Sequence, residues 1–93
     1  MHAVLVEVDA SEAEREEAVR RLREEIVPNV KQLPGFQSGT WLMLNDDAKG
    51  AALVVFDSEE NAQAAAGRFE VGSNPQPGVV IERSEVREVA VTA

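Results

Sequence analysis

The chain contains no cysteine and no tyrosine, and it has one histidine, His2, and one tryptophan, Trp41. Without cysteine there can be no disulfide, no thiolate nucleophile and no cysteine-ligated metal. A hydrolytic triad needs a nucleophile, a base and an orienting group, and a lone histidine at the second position is a poor base. The glycines form no phosphate-binding motif. The sequence therefore offers no evident catalytic constellation, and we expect neither a metal site nor a bound cofactor.

Basic residues are also scarce: the chain has nine Lys and Arg but 17 Asp and Glu, which gives a net charge of −8. Nucleic-acid affinity comes mainly from basic groups that neutralise phosphates, and an anionic membrane surface would repel this chain in the same way. No run approaches the roughly 18 apolar residues of a membrane span, and the first residues lack the basic-then-apolar pattern of a signal peptide. We therefore expect a cytoplasmic protein without a nucleic-acid or membrane partner.

The length and the apolar content indicate one globular domain over residues 1–93. Hydrophobic residues make up 44% of the chain, which is ordinary for a folded protein. A domain of this size buries roughly 60–70% of the surface that its unfolded chain exposes. Its core is thin, so burial against a second subunit would add substantially to its stability.

The first third of the chain predicts a strand followed by a long helix. Alternating β-branched residues over positions 2–8 predict the strand. Ser11 and Glu14 have the spacing of a capping box, which predicts a helix that begins at Ser11. Apolar residues three and four positions apart continue this helix until Pro34-Gly35, and Pro28 within it predicts a kink.

The remaining chain predicts a hairpin, a second helix and a last strand. Strands are expected over residues 36–44 and 51–56, and the turn-forming residues between them predict antiparallel pairing. We interpret Asp46 and Asp47 as part of this turn, although two adjacent acids could also suggest a cation site. Asp57 and Ser58 are candidate N-caps of the second helix. Residues 79–91 predict a long strand with a bulge or bend near positions 83–87.

The resulting order, β-α-β-β-α-β, predicts an α+β protein of the ferredoxin-like type, with both helices on one face of an antiparallel sheet. Several strands nevertheless carry apolar residues on both faces. In the second strand we expect Phe36 and Leu42 on one face and Trp41 and Met43 on the other. Strands of a sheet with one solvent-exposed face should alternate apolar and polar residues. Because these strands do not, the face without helices must also be buried against another surface. Face-to-face packing of two such sheets predicts a homodimer.

Three stretches also resemble a known family: Pro34-Gly35-Phe36, Ser38-Gly39-Thr40-Trp41 and Val54-Val55-Phe56-Asp57-Ser58-Glu59-Glu60. They look like the antibiotic biosynthesis monooxygenase (ABM) family of dimeric α/β barrels, and the resemblance covers nearly the whole chain. It implies the barrel fold and a homodimer. The family includes cofactor-independent oxygenases, haem-degrading enzymes, isomerase-like proteins and members without an assigned activity. Where the haem-degrading branch has a tryptophan and a ligand histidine, this sequence has Phe56 and Ala66, so the resemblance does not imply haem binding.

Trp41 is the side chain that we single out, as the sole tryptophan on a central strand. We interpret it first as an aromatic residue of the core or the dimer interface. The alternative is the wall of a ligand pocket between sheet and helices, with Phe56 and Phe69 as further lining residues and Arg68 in reach of a ligand carboxylate.

Two classes of function fit these patterns. The first is a homodimeric protein that binds a small apolar molecule, or interacts with a partner, without catalysis. The alternative is a cofactor-independent monooxygenase-type enzyme that acts on an aromatic or polyketide-like small molecule. The scarcity of acid–base residues favours the first class.

Overall fold

A computed structural model of the chain describes residues 1–44 and 48–93. The elements, in chain order, are strand β1 (His2–Asp9), helix α1 (Arg15–Arg21), a π-helical segment (Leu22–Ile26), helix α2 (Val27–Lys31), strand β2 (Phe36–Met43), strand β3 (Lys49–Phe56), helix α3 (Glu59–Ala66) and strand β4 (Val80–Glu88). The predicted turn residues Asn45, Asp46 and Asp47 lie outside the described residues.

The four strands form one antiparallel sheet in the order β2-β3-β1-β4. Helices α2 and α3 pack on the same face of this sheet and enclose the core with it. The fully or almost fully buried core residues are Val4, Val6, Val30, Val54, Phe56, Ala62, Ala65 and Ile81. The predicted α+β class is confirmed, and the sheet is compatible with a ferredoxin-like arrangement. Among the described residues, no helix is long and apolar enough to cross a membrane.

The first helix begins four residues later than the capping-box spacing predicts. Helix α1 starts at Arg15, and the carboxylate of Glu14 caps it by accepting hydrogen bonds from the backbone N–H groups of Glu16 and Glu17, at 3.2 and 2.8 Å. The backbone N–H of Ser11 instead donates to Asp9 Oδ1 at 2.8 Å. The prediction of a helix start at Ser11 is wrong because Asp9 and Ser11 form a local turn that competes with the helix.

The structure accommodates Pro28 by a wider helical turn just before it. Pro28 has no backbone N–H and its ring would clash with the carbonyl four residues back in a regular α-helix. Here the N–H of Val27 bonds to the carbonyl of Leu22, five residues back, so the chain is π-helical between Leu22 and Ile26. Helix α2 then ends at Lys31, three residues before the predicted end at Pro34-Gly35.

A bulge in β2 changes which face Phe36 occupies. Phe36 pairs with Phe56 and Ser38 with Val55, so Gln37 is an extra residue in the ladder. One extra residue reverses the alternation of side chains. Phe36 therefore packs against the core on the same side as Trp41, and its ring meets that of Phe56 edge to face at 6.4 Å. The prediction that Phe36 and Trp41 lie on opposite faces is wrong for this reason.

The second half of the chain follows the predicted pattern more closely. The hydroxyl of Ser58 accepts a hydrogen bond from the backbone N–H of Asn61 at 3.1 Å and caps helix α3 as expected. Strand β4 is irregular at Glu82, because Glu7 pairs with Arg83 while Val8 pairs with Ile81. This bulge lies one residue before the predicted interval, and β4 ends at Glu88 rather than at position 91.

Candidate functional site

Helix α1, the π-helical segment and α2 are continuous and are here called the first helical run. A cavity of about 270 Å³, partly open to solvent, lies between the sheet and this run. Its lining is mostly apolar. The sheet contributes Val6, Val8, Trp41, Met43, Gly50, Ala52 and Ile81, the helical run contributes Ala18, Val19, Leu22, Ile26 and Val30, and the chain after α3 contributes Phe69, Pro75, Gln76 and Val79. Its volume is close to the lower end of the range of about 300–1,000 Å³ that is typical of small-molecule sites.

The cavity exists because small residues face one another across the gap. Gly50 and Ala52 on β3 lie under α1, which presents Ala18 towards them. Helix α2 packs on β2, and α3 packs on β1, β3 and β4, so these two helices close the core at the other end of the sheet. Helix α1 and the π-helical segment stand over the cavity instead of over a filled core.

Trp41 forms part of the cavity wall and is half-buried. Its indole also packs against the core, with the far edge of the six-membered ring over Gly39. No hydrogen bond joins the indole N–H to any described residue, and Nε1 is not among the fully buried unpaired polar atoms of residues 1–44 and 48–93. The N–H is thus not sealed inside the fold.

Among the described residues, three further polar side chains line the cavity: Arg15, Lys49 and Gln76. The amide of Gln76 donates to the carbonyl of Ala18 at 3.2 Å, which ties the loop before β4 to helix α1. No described residue in the lining is a carboxylate or a histidine.

Lys49 is held by two carboxylates from neighbouring strands. Its Nζ lies 2.9 Å from Glu82 Oε1 and 3.0 Å from Asp9 Oδ2. The hydrogen bonds that Lys49 donates to Glu82 and Asp9 raise its pKa above the usual value for a lysine. Hydrogen bonds from the side chain and backbone of Ser11, followed by the one from Lys49, hold the pKa of Asp9 well below its usual range. These ionic contacts join β1, β3 and β4 at one end of the sheet.

The structure brings together two of the four predicted binding residues. Trp41 and Phe69 both line the cavity. Phe56 is fully buried in the core and does not reach it, because its ring packs under Phe36 at the other end of the sheet. Arg68 is exposed in the turn after α3 and is not part of the lining. Sequence reasoning missed Gln76, since no periodicity in a Pro-Gln-Pro loop indicates that it folds against α1.

The side of the sheet away from the helices, here called the open face, carries Leu5, Leu42, Leu53 and Val55, of which Val55 is already buried. Leu42 is 53% exposed and Leu53 is 44% exposed. The β4 edge of this face is charged: Glu7 bonds to Arg83 at 2.7 Å, and Glu85 pairs with both Arg83 and Arg87. The open face thus combines an apolar centre with an ionic border along one edge.

No protein-family model matches the chain, and no curated protein has a similar sequence. The resemblance to the ABM family therefore stays a prediction. The structural features that bear on function are the cavity and the open face.

Proposed function

We propose that this chain is a homodimeric binding protein for a small, largely apolar molecule, which occupies the cavity between the sheet and the first helical run. The observation that carries this proposal is the cavity itself. Protein interiors are close-packed and contain few voids larger than a water molecule. A space of about 270 Å³ with an apolar lining and a few polar groups has instead the composition of a ligand site.

The helical wall of the cavity supports the same conclusion. Leu22 and Ile26 belong to the π-helical segment, and both line the cavity. Single π-helical turns are uncommon and occur frequently at functional sites. A wider turn at this point also changes the direction in which α1 presents its side chains to the sheet.

Binding without catalysis fits the lining better than a reaction does. The described lining residues that can carry charge are Arg15 and Lys49, and Lys49 is already bonded to two carboxylates. General acid–base catalysis needs a group whose pKa lies near the working pH and which reaches the substrate. The oxygenase alternative stays a prediction that oxygen-uptake measurements with candidate substrates would test.

Filling the cavity from the helix side tests the proposal. Ala18→Leu extends an aliphatic side chain into the cavity, and Ala64→Leu makes the same change at an exposed position of α3 outside it. We expect calorimetric titration with 1-indanone, a small bicyclic ketone, to show saturable binding to the wild type and Ala64→Leu and at least tenfold weaker binding to Ala18→Leu. Equal binding to both variants, or no binding to the wild type, would contradict a ligand in this cavity.

The dimer part of the proposal rests on the open face. A monomer seldom exposes an apolar patch larger than a few hundred Å². A second copy offers the same apolar surface, and most homodimers associate through one self-complementary patch of this kind. Such a pair of sheets packed face to face would be the dimeric α/β barrel that the ABM resemblance implies.

A charge placed at the centre of the open face tests the dimer. Leu53→Glu lies at the middle of this surface, while Val71→Glu changes a residue that is 63% exposed in the loop after α3. In sedimentation equilibrium at micromolar concentration, the wild type and Val71→Glu should have twice the chain mass of 10.1 kDa. Leu53→Glu should sediment as a monomer. A monomeric wild type would refute the dimer.

A further inference from the structure

Trp41 lines the cavity, and its indole N–H donates a hydrogen bond to no described residue. An indole nitrogen can only donate, and a buried tryptophan usually finds a partner for it. Within residues 1–44 and 48–93, no oxygen accepts a hydrogen bond from this group, yet Nε1 is not fully enclosed. Water can satisfy an accessible N–H of this kind. A ligand that fills the space must replace that water.

The other polar groups of the lining are less suited to this task. Gln76 already donates to the carbonyl of Ala18, and Lys49 is bonded to Asp9 and Glu82. Arg15 is exposed at the first position of α1. The Trp41 N–H is therefore the lining donor that we take as the candidate partner of a bound molecule.

We propose that the cavity selects an uncharged apolar molecule that carries a hydrogen-bond-accepting oxygen, and that the indole N–H of Trp41 is the donor that orients it. This inference rests on the proposed function. Covering a donor without offering it an acceptor costs the desolvation of that donor, so a pure hydrocarbon of the same shape binds more weakly. A neutral acceptor also fits a chain whose net charge of −8 disfavours anions.

A matched pair of probes, 1-indanone and indane, isolates the hydrogen bond because the two molecules differ by one carbonyl group. Their dissociation constants are measured by calorimetry for the wild type and for Trp41→Phe, which keeps an aromatic ring and removes the N–H. The preference for 1-indanone is the ratio of the dissociation constant of indane to that of 1-indanone. The difference in hydration between the two probes cancels when this ratio is compared between the two proteins. We expect Trp41→Phe to reduce the preference for 1-indanone about tenfold. Ala64→Leu, an exposed change on α3 outside the cavity, should leave both dissociation constants and the preference unchanged.

Replacing the single tryptophan with β-(3-benzothienyl)alanine during expression gives a second variant, in which sulfur takes the place of the N–H in a ring of nearly the same shape. It should reproduce the loss of preference even where Trp41→Phe disturbs folding. If either change weakened the binding of both probes equally, Trp41 would contribute only packing to the cavity. That result would overturn the inference and leave the proposed function standing. Failure of both probes to bind the wild type would overturn both.

Discussion

The indole of Trp41 lies directly over Gly39, two residues earlier on the same strand. A methyl group at position 39 would lie 2.7 Å from Cζ3 and Cη2 of Trp41 and 3.5 Å from Cε2 of Phe36. Residues two apart on a strand share a face, so any side chain at position 39 would compete with the ring for this space. Glycine at this position lets the indole lie back along β2 and form the cavity wall.

The first prediction follows from this contact: Gly39→Ala displaces the Trp41 ring. Over-packing of this kind typically costs about 1–3 kcal/mol in the free energy of unfolding. Because Trp41 is the sole tryptophan, its fluorescence emission reports the displacement directly, and we expect a shift of the emission maximum together with a lower melting temperature.

Gly67→Ala is the matched control for this change. Gly67 follows α3 with an ordinary right-handed backbone, and a methyl group there would meet no atom closer than 3.4 Å. Its emission spectrum should equal that of the wild type and its stability should be the same or slightly higher. A Gly39→Ala protein with unchanged emission and melting temperature would mean that the ring does not depend on Gly39.

The strands could be predicted from the sequence more reliably than their details. Alternation at period two predicted strands over residues 2–8 and 51–56, and strands β1 and β3 cover both stretches. The side of Phe36 could not be predicted in this way, since the bulge at Gln37 depends on pairing with β3. Glu14 replaced Ser11 as the cap because a local turn at Asp9 took precedence.

The candidate site was less predictable than the fold. Trp41 and Phe69 stood out by residue type, and both reach the cavity. The cavity itself depends on how far α1 stands from the sheet, which is a property of tertiary packing and of the π-helical segment. No local pattern in the sequence encodes that distance, so Phe56 was included in the predicted site although its ring is part of the core.

A second prediction concerns Gly78, whose φ of +80° lies in the left-handed region. Left-handed backbone costs residues other than glycine about 1–2 kcal/mol. A methyl group at Gly78 would also lie 2.7 Å from the carbonyl oxygen of Glu12, so the loop before β4 would have to move away from the β1–α1 connection. Gly78→Ala should therefore lower the free energy of unfolding by more than the cost of the left-handed backbone alone.

Gly72→Ala separates the cost of the left-handed backbone from the cost of the close contact with Glu12. Gly72 has a similar φ of +90°, but no atom lies within 4 Å of the position that a methyl group would take. Chemical denaturation at one fixed protein concentration should rank the proteins as wild type, then Gly72→Ala, then Gly78→Ala. The close contact at Gly78 would be refuted if the two variants were equally stable.

A third prediction tests the cap of α1. Removing an N-cap side chain usually costs about 1 kcal/mol, because backbone N–H groups of the first turn lose their acceptor. Glu14→Ala should show this loss. Glu16→Ala removes the same charge from the neighbouring first turn without removing the acceptor, and it should cost clearly less. Equal losses in denaturation experiments would mean that charge, and not the cap, determines the effect of Glu14.

The last prediction concerns the pH dependence that Asp9 gives to stability. The pKa of Asp9 is lowered in the folded protein, first by its hydrogen bonds with Ser11 and then by Lys49. A carboxyl group with a lowered folded pKa stabilises the fold at pH values above its unfolded pKa of about 4, and this stabilisation is lost as the pH falls through the folded pKa. Asp9→Asn lacks the titrating group, so the wild type should be more stable than the variant at neutral pH.

The difference should amount to a few degrees in melting temperature at most, since these ionic contacts are partly exposed and are weakened by solvent. Melting curves between pH 7 and pH 2 should show a constant gap between the two proteins down to about pH 4 and a shrinking gap below it. Adding salt should narrow the gap at neutral pH, because Lys49 contributes through charge. A gap that stayed constant down to pH 2 would mean that Asp9 stabilises the sheet in a way that does not depend on its ionisation.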